Sequence, residues 1–392
     1  MSARLPDDSG LDIGALSESL SDTTNSYKFL WFLGLLESLP NGAVKSSPVV
    51  IPQSAVFREM INMADYCLRR YRLNFGASDK MGEYYETLAR AANFSGTKSL
   101  LSEIGETHES KTAFNDVCRN LSRFVPQQWL APFIRSREKL PARSDAAAAK
   151  IRELAAALSA GDNPPPYHFA ENCRGADIVV HRAWVRYFSR NRPIVRGWGL
   201  FKWITFLQSR NPNTPGIIAK IAQPERRAQL GKERKWWREM IGRMGGIKCV
   251  YSGASITAAD DFELDHYVPW SFVGHNRLWN LIPAAKTANA KKSDYLPSAE
   301  KYFNKFVNLQ YNALAVYNSS APKTGWKDIV DSYTGDLRVN INPPPTRQKL
   351  SAAYGAVIPP LIALAKSQGF SPDWDYDRTY PDGDALPVKL FK

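Results

Sequence analysis

The sequence is short of the residues that fasten small extracellular folds or zinc ribbons. Its four cysteines, Cys67, Cys118, Cys173 and Cys249, lie far apart with no CxxC pair. That spacing excludes a disulfide framework and a zinc knuckle, and it fits a reducing cytoplasm. No basic-then-apolar leader opens the chain; residues 1–25 hold one Arg against five acidic residues, a net of −4. Long apolar runs are also missing. The most apolar stretch, 27–39, falls short of the roughly 20 residues that span a bilayer. A soluble, cytoplasmic protein with no membrane partner is expected, and no internal repeat is visible.

What is present is length, apolar mass and positive charge. At 392 residues with 44% hydrophobic and 12% aromatic side chains, the chain can bury a large core in two or three domains. The net charge of +13 calls for an anionic partner. Its distribution is sharper than its sum. Residues 181–248 hold 16 Lys and Arg against 3 Asp and Glu, so this stretch carries the whole excess. Trp184, Trp198, Trp203, Trp236 and Trp237 are interleaved with the basic residues. The pattern suits a surface that binds phosphates and stacks on bases, or equally a solvated helical face with its tryptophans in the core.

The chain reads as mainly α with one small α+β unit. Residues 1–25, rich in Ser, Asp and Gly, are expected to be disordered. Residues 26–162 form a helical domain for recognising a target or partner. Its first helix, over 27–39, is capped by Asn25 or Ser26 and is apolar nearly all round, as befits a buried helix. Further helices are expected over 54–74, 81–92, 99–109, 113–124 and 145–159. Gly161-Asp162-Asn163-Pro164-Pro165-Pro166 then breaks the chain and marks a domain boundary. A basic helical segment, 177–248, is expected to bind nucleic acid, with Lys235 and Arg238 among its contacts. Residues 245–297 are expected to hold a small hairpin unit. A helical extension follows over 298–392, with helices at 297–318 and 347–355.

The stretch that carries chemistry runs from Phe262 to Pro297. Phe262-Glu263-Leu264 is strand-like and Val268-Pro269 ends the strand, so Asp265 and His266 stand at its tip, facing opposite sides. A second strand is expected over 278–282. In a helix starting near Lys286, Asn289 and Lys292 are i, i+3 neighbours on one face. Asp265, His266, Asn280, Asn289 and Lys292 can therefore converge. Phosphodiester hydrolysis needs such a set: oxygen donors for a hard cation, an imidazole to take a proton from water, and an ammonium for a phosphate oxygen. Lys291 and Arg277 are further candidate phosphate contacts. His275 reads as a loop histidine rather than a metal ligand.

Type, order and spacing here resemble the HNH, or ββα-metal, nuclease motif. The segment is particularly similar to the HNH domain of RNA-guided CRISPR effector nucleases. Asp265-His266-Tyr267-Val268-Pro269, Asn280, and Asn289-Ala290-Lys291-Lys292-Ser293-Asp294 match its three elements. The resemblance implies that Asp265 and Asn289 ligate one Mg²⁺ or Mn²⁺, that His266 is the general base, and that Asn280 ties the loop and helps orient His266. It covers 36 residues. Many HNH proteins add two CxxC pairs that bind zinc, but Cys249-Val250-Tyr251-Ser252-Gly253 has Ser in place of the second Cys. No structural zinc is expected, and Trp270, Phe272, Trp279 and Leu281 must hold the unit instead.

More loosely, the 26–37 segment and the Asn-Pro-Asn-Thr-Pro-Gly run at 211–216 resemble a bacterial group of HNH proteins, often found in restriction or anti-phage systems. The implied activity is metal-dependent DNA endonuclease, nicking as a monomer, with a defence partner bound through the helical domain. Two alternatives stay open: a non-catalytic DNA-binding scaffold, and a nuclease toxin or effector.

Overall fold

Tyr27–Ser38 has no polar face, and in the computed structural model of the protein it is buried from Phe29 to Leu36. The structure describes residues 5–21, 23–40, 48–94, 99–142, 144–170, 177–221, 229–319 and 325–378; Cys173 and residues 1–4 and 22 of the tail lie outside them. The chain divides into two units, Met1–Pro212 and a second that begins at Asn213. Both are mainly helical, with small sheets.

Unit 1 wraps its helices around that apolar helix. In chain order they are α1 (Ile13–Glu18), α2 (Tyr27–Ser38), α3 (Gln53–Asp65), α4 (Met81–Ala91), α5 (Leu100–Glu103), α6 (His108–Ser122), α7 (Val125–Arg135), α8 (Asp145–Leu158), α9 (Arg182–Arg190) and α10 (Arg192–Arg210). A three-stranded antiparallel sheet joins β1 (Val49–Pro52), β2 (Tyr167–Phe169) and β3 (Asp177–Val180) in the order β1-β3-β2. Tyr167 sits at the centre of the core. Its ring stacks on Trp129 at 5.8 Å, and its hydroxyl accepts from Trp31 Nε1 at 3.0 Å and donates to the Pro126 carbonyl.

Three expectations change here. The tail is not wholly disordered: Asp12 caps α1, and Leu5, Leu11, Leu16 and Leu20 are buried. Leucines spaced through a polar segment suffice to dock it. The break at 161–166 is not the boundary between units. The prolines lead straight into β2, which pairs with β3; β3 in turn pairs with β1 from before the break and ties both sides together, and the division falls at Pro212. The basic segment 177–248 is therefore shared between two units. Its tryptophans are core in both, with Trp184, Trp203, Trp236 and Trp237 at 0–1% exposure and Trp198 at 4%. No stacking surface is made of them.

Unit 2 contains α11 (Ile217–Ile221), α12 (Gly231–Arg243), β4 (Ile247–Lys248), β5 (Ser255–Ile256), β6 (Glu263–His266), α13 (Trp270–Val273), β7 (Leu281–Ala284), α14 (Lys286–Lys292), α15 (Ala299–Ser319), α16 (Lys327–Val330), α17 (Ser332–Leu337) and α18 (Arg347–Ser367). Two antiparallel ribbons, β4-β5 and β6-β7, pack with α12, α15 and α18 around one apolar cluster. Phe272, Trp279 and Leu281 lie in that cluster, as expected of residues that hold the small unit, while Trp270 is half-buried. The last helix is longer than expected, because α18 runs through Pro359 and Pro360. It is long and apolar enough to cross a membrane by length and composition. In the fold, Leu350, Tyr354, Ile358 and Ala365 join the core.

Candidate active site

The site is built on β6, β7 and α14. The strands pair with His266 opposite Leu281 and Asp265 opposite Ile282. Pro269 has no amide hydrogen to continue the ladder, and the chain turns away into α13. Asn280 closes the resulting loop. Its side chain accepts from Val268 N at 2.9 Å and donates to Val268 O at 2.8 Å, while its own carbonyl accepts from Tyr267 N. Asn280 is fully buried, so both ends of its amide must be bonded, and one backbone position satisfies both.

The expected separation of the strand's last two residues holds. Asp265 engages Tyr251 and α14. Its carboxylate, 3% exposed, accepts from Tyr251 Oη at 2.5 Å and from Lys292 Nζ at 3.0 Å. Burial pushes the Asp265 carboxyl upward, and Lys292 and Tyr251 pull against that shift. His266 engages the loop instead, with its Nε2 lying 2.9 Å from Asn276 Oδ1.

Lys292 departs from expectation. As a phosphate contact it should reach solvent, yet it is 0% exposed and also donates to the His266 carbonyl at 2.8 Å. The i, i+3 spacing does bring it to the site, but α14 docks with that position facing β6. Withdrawing the ammonium would leave a buried carboxylate without its counter-charge, which is strongly unfavourable. Lys292 belongs to the interior. Asn289, one turn earlier, is half-buried.

The other candidate contacts lie on the surface of unit 2. Arg277 pairs with Asp336 at 3.4 Å and remains half-exposed. Lys291 Nζ stands 4.7 Å over the Tyr376 ring, and Arg238 lies over Phe262 at 5.6 Å; Lys235 is exposed. His275 packs on Trp279, and burial lowers its pKa to about 4, so it stays a neutral imidazole.

Several residues that sequence reading passed over hold this arrangement. Tyr251 lies between the cysteine and serine already compared with a zinc pair, so its place in that segment was the available signal. Asn276 could be suspected only as a polar residue in the loop. Gln310 gave no signal: from α15 it donates to the Leu281 carbonyl at 2.9 Å and the Trp279 carbonyl at 3.3 Å, and Tyr333 donates to it. Tyr354 of α18 also donates to Trp279 O, at 2.9 Å. Lys220 of α11 donates to the Phe272 carbonyl and pins the base of the Asn276 loop. Gly216, at φ +62°, passes so close to that loop that a Cβ would lie 3.1 Å from Val273 O.

A hard divalent cation suits the donors present. Asp265 and Asn289 offer oxygen, and an ionised carboxylate holding two hydrogen bonds still has acceptor capacity on both oxygens. No cluster of three His, Cys, Asp or Glu side chains occurs among the described residues, so such an ion would depend on water and substrate phosphate for its other ligands. Mg²⁺ is commonly held that way.

Residues 249–298 match the family model of the HNH endonuclease. The segment is an HNH endonuclease domain within a mainly helical protein, and such a domain acts on nucleic acid; HNH nucleases generally use divalent metal ions. The match contains Tyr251, Asp265, His266, Asn276, Asn280, Asn289 and Lys292. Comparison with curated proteins and with solved structures found no match.

Proposed function

Starting from an HNH endonuclease domain at 249–298, we propose that the protein is a metal-dependent DNA endonuclease in which His266 is the general base. The observation that carries this reading is the placement of His266 at the end of β6, its ring bonded to Asn276 and its backbone carbonyl held by Lys292. Asn276 Oδ1 accepts a proton held on Nε2, so the basic lone pair of the neutral ring falls on Nδ1. His266 takes the proton of the attacking water at that atom. Asn280 and Gln310 keep the loop and strand from drifting, and proximity is what makes the transfer efficient. Asp265 and Asn289 would hold the divalent ion, Mg²⁺ or Mn²⁺, which would supply electrostatic stabilisation of the charge that develops on the phosphate. Tyr251 and Lys292 orient Asp265 for that task. Arg277, Lys291, Lys235 and Arg238 are the surface cations offered to phosphates.

A single site cuts one strand per encounter, so the product from a monomer is a nick with 5′-phosphate and 3′-hydroxyl ends. The role we assign is cytoplasmic restriction or anti-phage defence, supported by the free thiols of Cys67, Cys118 and Cys249 and by the resemblance to defence HNH proteins. Supercoiled plasmid incubated with the protein and Mg²⁺ should relax to open circles that DNA ligase reseals. Chelation should stop the reaction. Products that ligase cannot seal would contradict the assigned chemistry, and plasmid binding without any cleavage would favour the DNA-gripping scaffold.

A further inference from the structure

On α9, Arg182, Arg186 and Arg190 recur every four residues and are all exposed, while Trp184, Val185, Tyr187 and Phe188 face the core. Four residues advance an α-helix by about 6 Å, so the three guanidinium groups form a ladder along one face. The next arginines along the chain are engaged: Arg192 and Arg196 both pair with Glu37, at 3.2 and 2.6 Å. No carboxylate among the described residues lies in ion-pair range of Arg182, Arg186 or Arg190. Their charge is felt locally, since burial first and then Arg182 and Arg186 hold His181 below its ordinary pKa. Arg186 and Arg190 also line a cleft of about 800 Å³ whose other wall is Pro6, Asp7, Asp8 and Gly10. Asp7 and Asp8 are exposed there without closing an ion pair.

We infer that the Arg182–Arg186–Arg190 ladder of unit 1 is a docking surface for the phosphate backbone of duplex DNA, and that Asp7 and Asp8 weaken it as a built-in anionic competitor. The inference rests on the nuclease reading above, which makes nucleic acid the relevant polyanion. Guanidinium groups suit phosphate because they donate in a planar fork and remain charged. The tryptophan of this helix is internal, so the contact is with the backbone and carries no preference for sequence. A plainly solvated face would also expose arginines, but it would not respond to substitutions of opposite charge in opposite directions.

The test uses full-length protein carrying His266→Ala, which prevents cleavage, and a labelled short DNA duplex titrated across salt concentrations. Neutralising three phosphate contacts should lower the slope of log affinity against log salt by about 2–3 in Arg182→Gln/Arg186→Gln/Arg190→Gln. The matching triple lysine variant should keep most of the slope. Asp7→Asn/Asp8→Asn should tighten binding by roughly two- to fivefold at low salt, the scale of exposed charge interactions. An unchanged slope in the glutamine variant, or no salt-dependent binding by its parent, overturns the inference. Plasmid nicking by the wild-type chain decides the nuclease reading separately.

Discussion

The two units put the same kinds of charged residue to opposite uses. In unit 1 the arginines of α9 point outward in a row, and no carboxylate among the described residues is within ion-pair range of them. In unit 2, Lys292 and Lys220 are both fully buried, the first on Asp265 and the second on a backbone carbonyl. A cation on the surface can exchange partners freely and costs little to remove. A cation in the interior has left water behind, and whatever it pairs with depends on it. Positive charge near a nuclease motif is therefore no guide to substrate contact until burial is known.

The contrast is tested most severely by Lys292→Met. If the lysine is the counter-charge of a buried carboxylate, its loss should cost about 3–5 kcal/mol of folding free energy, read as a lower urea midpoint. A change within the usual surface range of about ±0.5 kcal/mol would return Lys292 to the role of a phosphate contact. Tyr251→Phe removes a hydrogen bond to the same carboxylate but leaves its charge paired. A loss of about 1.5–3 kcal/mol is expected, with weaker binding of Mn²⁺ followed by electron paramagnetic resonance. Metal affinity equal to the parent's would show that Tyr251 is packing alone.

Lys220 sharpens the comparison through pH. Burial lowers its pKa from 10.5 to about 7. Between those values the unfolded chain binds the proton that the folded chain has released, so this group makes stability rise with pH across the interval. Below about pH 7 both states carry the proton, and the cost of burying the ammonium is fully present. Urea unfolding at the two ends of the interval should show the gain in the wild-type chain and a smaller one in Lys220→Met. Equal gains would mean that Lys220 is hydrated in the folded protein. The smallest effect belongs to Arg186→Gln, for which stability should stay within about ±0.5 kcal/mol of the parent.

Much of this site is readable in the sequence because its elements are local. The strand ending at Val268-Pro269, the turn carrying Asn280 and the helix that places Asn289 beside Lys292 lie within 36 residues, where spacing alone sets geometry. The destination of each side chain is less readable. Whether Lys292 meets water or Asp265 depends on how α14 docks, which no periodicity encodes. The tryptophans stayed ambiguous for a related reason: basic and aromatic residues alternating along an amphipathic helix look alike whether the rings face bases or the core. The unit boundary was misplaced because three prolines suggest a linker, whereas the residue after them, Tyr167, is the hub of unit 1. Gln310, Tyr333 and Tyr354 support the Trp279–Leu281 turn from far along the chain, a dependence visible only once the fold is known.

The proposed proton transfer from the attacking water to His266 is read out by single-turnover nicking of supercoiled plasmid by wild type and His266→Ala. The expected result is a fall of about 10²–10⁴-fold in rate with DNA binding unchanged. Equal rates for the two proteins would contradict it.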